Sequence, residues 1–224
     1  YWEEQFGRAS QLFDGKYQPG GGQPPVFKTE HAHWNVLVRP GAGPDEVNAV
    51  RSAIPDGMRH KWFRIMTSSQ ALAQSIFANL KYHGKLGLLS DLRGEDGLPP
   101  FPASVVRSGS SQRAAVLELE YRVDYLGEPR PTSVDAMLGG SYQVAVECKL
   151  SEPEVGECSR PDLRPTDSNS ASEHCDGAYS HQRGRRDQCA LTRRGISYWR
   201  YVPKLLNWPV GSDMRPCPLR ASYQ

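Results

Sequence analysis

No stretch of about 18 consecutive apolar residues occurs in this 224-residue chain, which excludes a membrane-spanning helix. The opening Tyr1-Trp2-Glu3-Glu4 lacks the basic-then-apolar order of a secretory leader, so the expected setting is the cytoplasm, away from membranes. An initiating Met is also missing and the text stops at Tyr223-Gln224, as in a trimmed chain or a fragment. None of the five cysteines forms a Cys-x-x-Cys pair, and no internal repeat is present. The 38% hydrophobic and 23% charged residues are ordinary for a globular protein, and 224 residues suit one domain or one domain with attachments.

Excess charge of one sign is absent too, but the net +2 hides an asymmetry. From Asp176 onward nine Lys and Arg face three acids, whereas the preceding residues carry a net −4. A basic end beside a more acidic body suits a surface that meets phosphates, because Lys and Arg release the counterions of a nucleic acid. A solvated charged helix explains the same composition equally well.

The Gly- and Pro-rich run Gln18–Pro25 cannot hold a helix or a central strand, so residues 1–30 read as an amino-terminal appendage, flexible in character, before a domain over 31–224. Ser68-Ser69 can cap a helix that continues through Leu80. There Leu72, Ile76 and Leu80 recur every four residues, Ala73 and Phe77 widen the stripe, and Gly84 ends it. That stripe predicts packing on a sheet. Leu117, Leu119, Tyr121 and Val123 alternate with Glu118, Glu120 and Arg122, the period of a strand with one buried face. Thr132 to Leu138 and the Val-rich Gln143 to Leu150 follow across Gly139-Gly140, which predicts an antiparallel meander. A long polar stretch then reaches about Glu173, and Tyr179 to Leu206 is helix-compatible apart from Gly184 and Gly195.

The third strand carries the chemistry. Val144, Val146 and Cys148 point one way and Ala145, Glu147 and Lys149 the other, so Glu147 and Lys149 share a face. Asp135 joins them whenever its cross-strand partner is an odd-numbered residue, which a loop of three or five residues at Gly139-Gly140 provides. Two converging carboxylates make a hard-oxygen site suited to Mg²⁺, and a neighbouring Lys can orient or activate a water. Taken alone, Glu-x-Lys on a strand is more often a solvent-facing ion pair.

The run Thr132-Ser133-Val134-Asp135, followed by Val144-Ala145-Val146-Glu147-Cys148-Lys149-Leu150, resembles the hairpin of PD-(D/E)XK nucleases, the restriction-endonuclease-like superfamily. Wider text is similar to a bacterial family of restriction endonucleases. Ser68-Ser69-Gln70-Ala71-Leu72-Ala73, Cys158-Ser159-Arg160-Pro161, Cys175-Asp176-Gly177 and Gly195-Ile196-Ser197-Tyr198-Trp199 carry that similarity within residues 31–224. The resemblance implies an α/β fold, a mixed central sheet with an antiparallel catalytic meander flanked by helices. It also implies hydrolysis of DNA phosphodiester bonds with Mg²⁺ or Mn²⁺. Asp135, Glu147 and the main-chain carbonyl of Cys148 would be the metal ligands, and Lys149 would assist the nucleophile. Val134 stands where the motif's name has Pro. The helical Glu that completes some of these sites is not identifiable: Glu118 and Glu120 lie in a strand, and Gln70 is the nearest helical substitute. Gln182 matches a polar residue that some relatives place beside the metal, although a helix-surface Gln is the more common case.

The remaining cysteines, Cys158, Cys175, Cys189 and Cys217, bracket the long polar loop and the tail. They suit either free thiols or a second site for Zn²⁺ or an iron–sulfur cluster, which some PD-(D/E)XK nucleases carry. His31, His33 and His174 are isolated, and such histidines usually bind no metal. Gln182, Arg183, Arg185, Arg186, Arg193 and Arg194 are the candidate nucleic-acid contacts. The sequence reading is therefore a Mg²⁺-dependent endonuclease acting on DNA, with a homodimer and a methyltransferase partner left open. Its rivals are a non-catalytic nucleic-acid-binding or interaction module of the same fold, and a structural zinc module.

Overall fold

A computed structural model of the chain describes residues 11–15, 24–101, 116–129, 131–139, 143–150, 162–167, 175 and 189–196. The chain divides into two compact units, Tyr1–Tyr121 with Ser133–Ser151, and Arg122–Thr132 with Glu152–Gln224.

In the first unit a 3-10 turn over Thr29–Asn35 precedes helix α1, Pro44–Arg51. Pro44 at the helix start needs no amide partner, and Asp45 and Glu46 meet the positive end of the helix dipole. Helix α2, Ser69–Tyr82, begins as its sequence implies, with the Ser68 hydroxyl accepting from the Ala71 amide at 3.2 Å. Gly84 follows its end in the left-handed region, at φ +62°.

The buried faces of α2 differ from the expected Leu72-Ile76-Leu80 stripe, since Ile76 is 42% exposed. Two cores share the helix instead. Ala73 and Phe77 pack with Leu89, Leu117, Ala136 and Leu138 beside the sheet, and Leu80 packs against that cluster. Ala71 and Ala78 pack with Val36, Val50 and Phe63. Burying the Phe77 ring alone is worth about 2–3 kcal/mol, more than any single surface contact of this helix. Its polar residues are structural. Gln74 donates to the carbonyls of Val50 and Arg51 at 2.8 and 2.9 Å, satisfying the open end of α1. The Ser75 hydroxyl accepts from Leu37 N at 2.9 Å, and Asn79 donates to Leu37 O at 2.9 Å.

Residues preceding position 31 contribute to this unit. Phe13 pairs with Phe27 and Val26 with Ile65 as short bridges, and all of Phe13, Val26 and Phe27 are buried. The sheet has three antiparallel strands in the order β1 (Val116–Val123), β2 (Thr132–Gly139) and β3 (Gln143–Val146). The fold is therefore mixed α/β, with helix α2 packed beside a small sheet. The expected third strand through Leu150 is shorter, ending at Val146.

The second unit contains helix α3, Ala190–Arg193, capped by the Cys189 sulfur, which accepts from Thr192 N at 3.4 Å. Gly195 closes it at φ +85°, and a Cβ there would meet the Pro129 ring at 2.6 Å, so only glycine fits. Most of the helix-compatible run 179–206 lies outside the described residues.

Candidate active site

The site is built on the hairpin of β2 and β3. Ala136 pairs with Val146, Met137 with Ala145, Leu138 with Val144 and Gly139 with Gln143. Three residues intervene between Gly139 and Gln143, and the same register extended by one step beyond the ladder would bring Asp135 opposite Glu147. Ala136 and Leu138 are fully buried against α2, so Asp135 and Glu147 lie on the opposite face of the sheet. Cys148 packs on the core side, as the alternation requires.

Ladder pairing stops at Val146 because a side chain takes over. The amide of Cys148 donates to Asp135 Oδ2 at 2.7 Å. That bond ties the segment carrying Glu147 and Lys149 to β2. Lys149 Nζ donates to Glu147 Oε1 at 2.7 Å, an ion pair whose carboxylate side chain is half exposed. Asp135 Oδ1 and Glu147 Oε2 have no hydrogen bond among the described residues.

Burial pushes the Asp135 carboxyl from its ordinary 3.8 up to about 6. The Cys148 amide and the Lys149 ammonium work against that rise, whereas the charges of Glu147 and Glu120 add to it. Burial also raises the Cys148 thiol to about 11, so this cysteine stays protonated and inert.

Glu120 is the residue that strand periodicity missed. It is 8% exposed, although the alternation of β1 assigns it to the solvent face. Its φ of +52°, the only positive value at a non-glycine among the described residues, breaks the alternation. Ser133, two residues from Asp135 on the same side of β2, donates to Glu120 Oε2 at 2.9 Å. Three carboxylates thus lean on one side of the sheet. Sequence offers no signal for a left-handed Glu, because glycine or Asn usually marks such a position. Glu118 is exposed.

Gln70, the helical substitute, is 2% exposed and committed elsewhere. Its carbonyl accepts from His60 N at 3.1 Å and its amide donates to Met58 O at 3.2 Å. Of the arginines named from sequence, Arg193 donates to Thr166 O at 3.0 Å and Arg194 is exposed beside the end of α3. Gln182, Arg183, Arg185 and Arg186 lie outside the described residues, as do Cys158, Cys217 and His174. Cys175 is half-buried and Cys189 buried, and the Cys189 sulfur also lies 3.2 Å from Thr192 Oγ1. His33 sits among Arg51 and Arg59, surroundings that repel a metal cation.

The oxygen set fits a hard divalent cation. Two carboxylates with an unengaged oxygen each, and a main-chain carbonyl between Glu147 and Lys149, are the ligand type Mg²⁺ and Mn²⁺ prefer. Among the described residues no three carboxylate, imidazole or thiol side chains are gathered tightly enough to hold an ion. Mg²⁺ commonly uses one or two carboxylates and completes its shell with water, and the donors here match it in type.

The sequence model of the family described as "Restriction Endonuclease associating with ARP" matches residues 8–224. The chain belongs to this family. A member of the restriction endonuclease family associating with ARP thus carries Asp135, Glu147 and Lys149 on one hairpin. The match begins well before position 31, in keeping with the burial of Phe13, Val26 and Phe27. Neither the curated proteins nor the solved structures contain a match to this chain. No helix among the described residues is long and apolar enough to cross a membrane.

Proposed function

We propose that this protein is a divalent-metal-dependent endonuclease of the PD-(D/E)XK kind that hydrolyses DNA phosphodiester bonds within a restriction system. The observation that carries the reading is the hairpin register through Ala136 and Val146, which carried one step further would bring Asp135 opposite Glu147, with Lys149 two residues on. Family membership supports the same class of activity, and its description suggests ARP as a partner.

Asp135, Glu147 and the Cys148 carbonyl would hold the ion, Mg²⁺ or Mn²⁺. When bound, the ion supplies Lewis-acid stabilisation of charge on the scissile phosphate. Asp135 must be ionised to serve, and its raised pKa makes that sensitive to mild acid. Lys149, steered by Glu147 Oε1, keeps a mobile ammonium on the carboxylate side of the sheet. There it can orient a water for in-line attack and neutralise charge developing on the phosphoryl oxygens. Glu120 acts at a distance, as a fixed charge that raises the affinity of the face for cations.

A plasmid-nicking assay with Mg²⁺ or Mn²⁺, beside calorimetric metal titration, tests the reading. Asp135→Ala is expected to abolish both metal binding and cleavage. Lys149→Ala keeps metal binding and loses about two to four orders of magnitude in cleavage, the usual range for a positioned proton-transfer group. Lys149→Arg rescues poorly, since a guanidinium stays protonated and presents a planar fork. Full activity of Lys149→Ala would remove this residue from the mechanism. The word "associating" in the family description favours one second reading, a non-catalytic module that binds a partner, and absence of cleavage on any nucleic acid would favour it.

A further inference from the structure

The first unit has as many acidic as basic residues, yet a cationic cleft opens within it. The cleft, about 1070 Å³ in volume, lies between the Thr29–Asn35 turn, α1 and the segment 54–64. Arg51, Arg59, Lys61 and Arg64 line it, against the carboxylates Glu30 and Asp56. Asp56 pairs with Arg59, and Arg64 is tied to Asp14 at 3.4 Å and to Phe27 O at 2.9 Å. Arg51 and Lys61 have no carboxylate partner among the described residues. The buried Nε atoms of Arg51 and Arg59 likewise lack a hydrogen bond there. A buried guanidinium N–H without an acceptor is costly, and an anionic oxygen is the natural group to complete it.

Two indoles outside the cleft lining sit beside these cations at its rim. Arg51 lies 5.1 Å from the ring centre of Trp34, and Lys61 lies 5.0 Å from that of Trp62. Both indoles are large apolar groups kept about half exposed, at 49% and 45%. Cations that track a phosphate chain, interleaved with exposed aromatic faces, are the arrangement that single-stranded nucleic acid binds. Small-molecule sites are mostly apolar and enclose about 300–1,000 Å³. This cleft stands at the upper end of that range and carries four cationic side chains, which suits a chain of phosphates.

We propose that this cleft binds a single strand of nucleic acid, with Arg51 and Lys61 on its phosphates and Trp34 and Trp62 stacking on its bases. That the captured strand is then hydrolysed rests on the endonuclease reading; its capture does not.

The test is fluorescence anisotropy of the full chain with a labelled single-stranded oligonucleotide, in EDTA so that no cleavage occurs, across a salt series. The exposed variants Lys61→Glu and Trp62→Ala are made beside Arg51→Gln, each checked for native circular dichroism. Trp62→Ala is expected to weaken binding about 5- to 100-fold, the equivalent of one base stack. Arg51→Gln lowers the slope of log affinity against log salt by about 0.7, the value for one phosphate of a single strand left without its cation. Unchanged binding in both Lys61→Glu and Trp62→Ala, or tighter binding of duplex than of single strand, would overturn the proposal while leaving the endonuclease reading intact. Binding that depends on these residues in a protein that cleaves nothing would uphold the cleft and remove the endonuclease reading.

Discussion

Asp135 is held in two roles that oppose each other. Its carboxylate receives the Cys148 amide and so anchors the segment bearing Glu147 and Lys149, yet burial beside Glu147 and Glu120 disfavours its charge. A carboxyl whose pKa is higher folded than unfolded binds its proton more tightly in the native state. The contribution of this one group to stability is therefore greatest below 3.8, declines as pH rises, and is fully lost above about 6. Asp135→Asn keeps an oxygen to accept from Cys148 and removes the charge. Thermal unfolding at pH 7.5 should show this variant more stable than the unmodified protein, and the difference should vanish near the ordinary carboxyl value of 3.8. A variant less stable at pH 7.5 would mean that the ionised form is already compensated within the fold. Metal binding should follow the opposite course, weakening as pH falls through about 6, because the ligand must lose its proton.

At the scale of the element, the two departures from regular structure both fall at the carboxylate face. Strand β1 passes through a left-handed residue at Glu120, and the β2–β3 ladder stops where Asp135 takes the amide of Cys148. An L-residue in the left-handed region costs about 1–2 kcal/mol, and such strain persists where surrounding contacts enforce it. Here the Ser133 hydroxyl and the burial of Glu120 are those contacts. Glu120→Gly and Glu120→Ala both delete the carboxylate, so their difference isolates the backbone. Chemical denaturation should find Glu120→Gly more stable than Glu120→Ala by about 1 kcal/mol. Equal stabilities would show that β1 relaxes to a regular strand once the carboxylate is gone.

At the scale of the molecule, the charge asymmetry of the sequence directs attention to the carboxy-terminal arginines, whereas the cleft around Arg51 lies in the part whose summed charge is negative. Sums along a chain average over faces that the fold separates. The cysteines raise a comparable issue of convergence. Cys189 already caps α3 through its sulfur, a role that needs no metal. A shared site with Cys158, Cys175 and Cys217 would give about one zinc, or one iron–sulfur cluster, per chain on elemental analysis of the purified protein. A metal-free protein with four titratable thiols would assign these cysteines to free thiols.

The sequence by itself determined most of the local elements and the hairpin that carries Asp135. The Ser68 cap and Gly84 bounded α2, period-two alternation marked the first half of β1, and the Gly139-Gly140 pair predicted the antiparallel return of β3 along β2. Such features depend on residues near one another in the chain, where backbone sterics and side-chain alternation act directly. Tertiary structure alone decided which side of α2 was buried, because two cores compete for it and leave Ile76 outside. It also turned Glu120 inward, committed Gln70 to the loop at Met58–His60, and gathered Arg51 and Lys61 beside exposed tryptophans. Each of these outcomes depends on long-range packing and on desolvation by distant segments, quantities that no local period encodes.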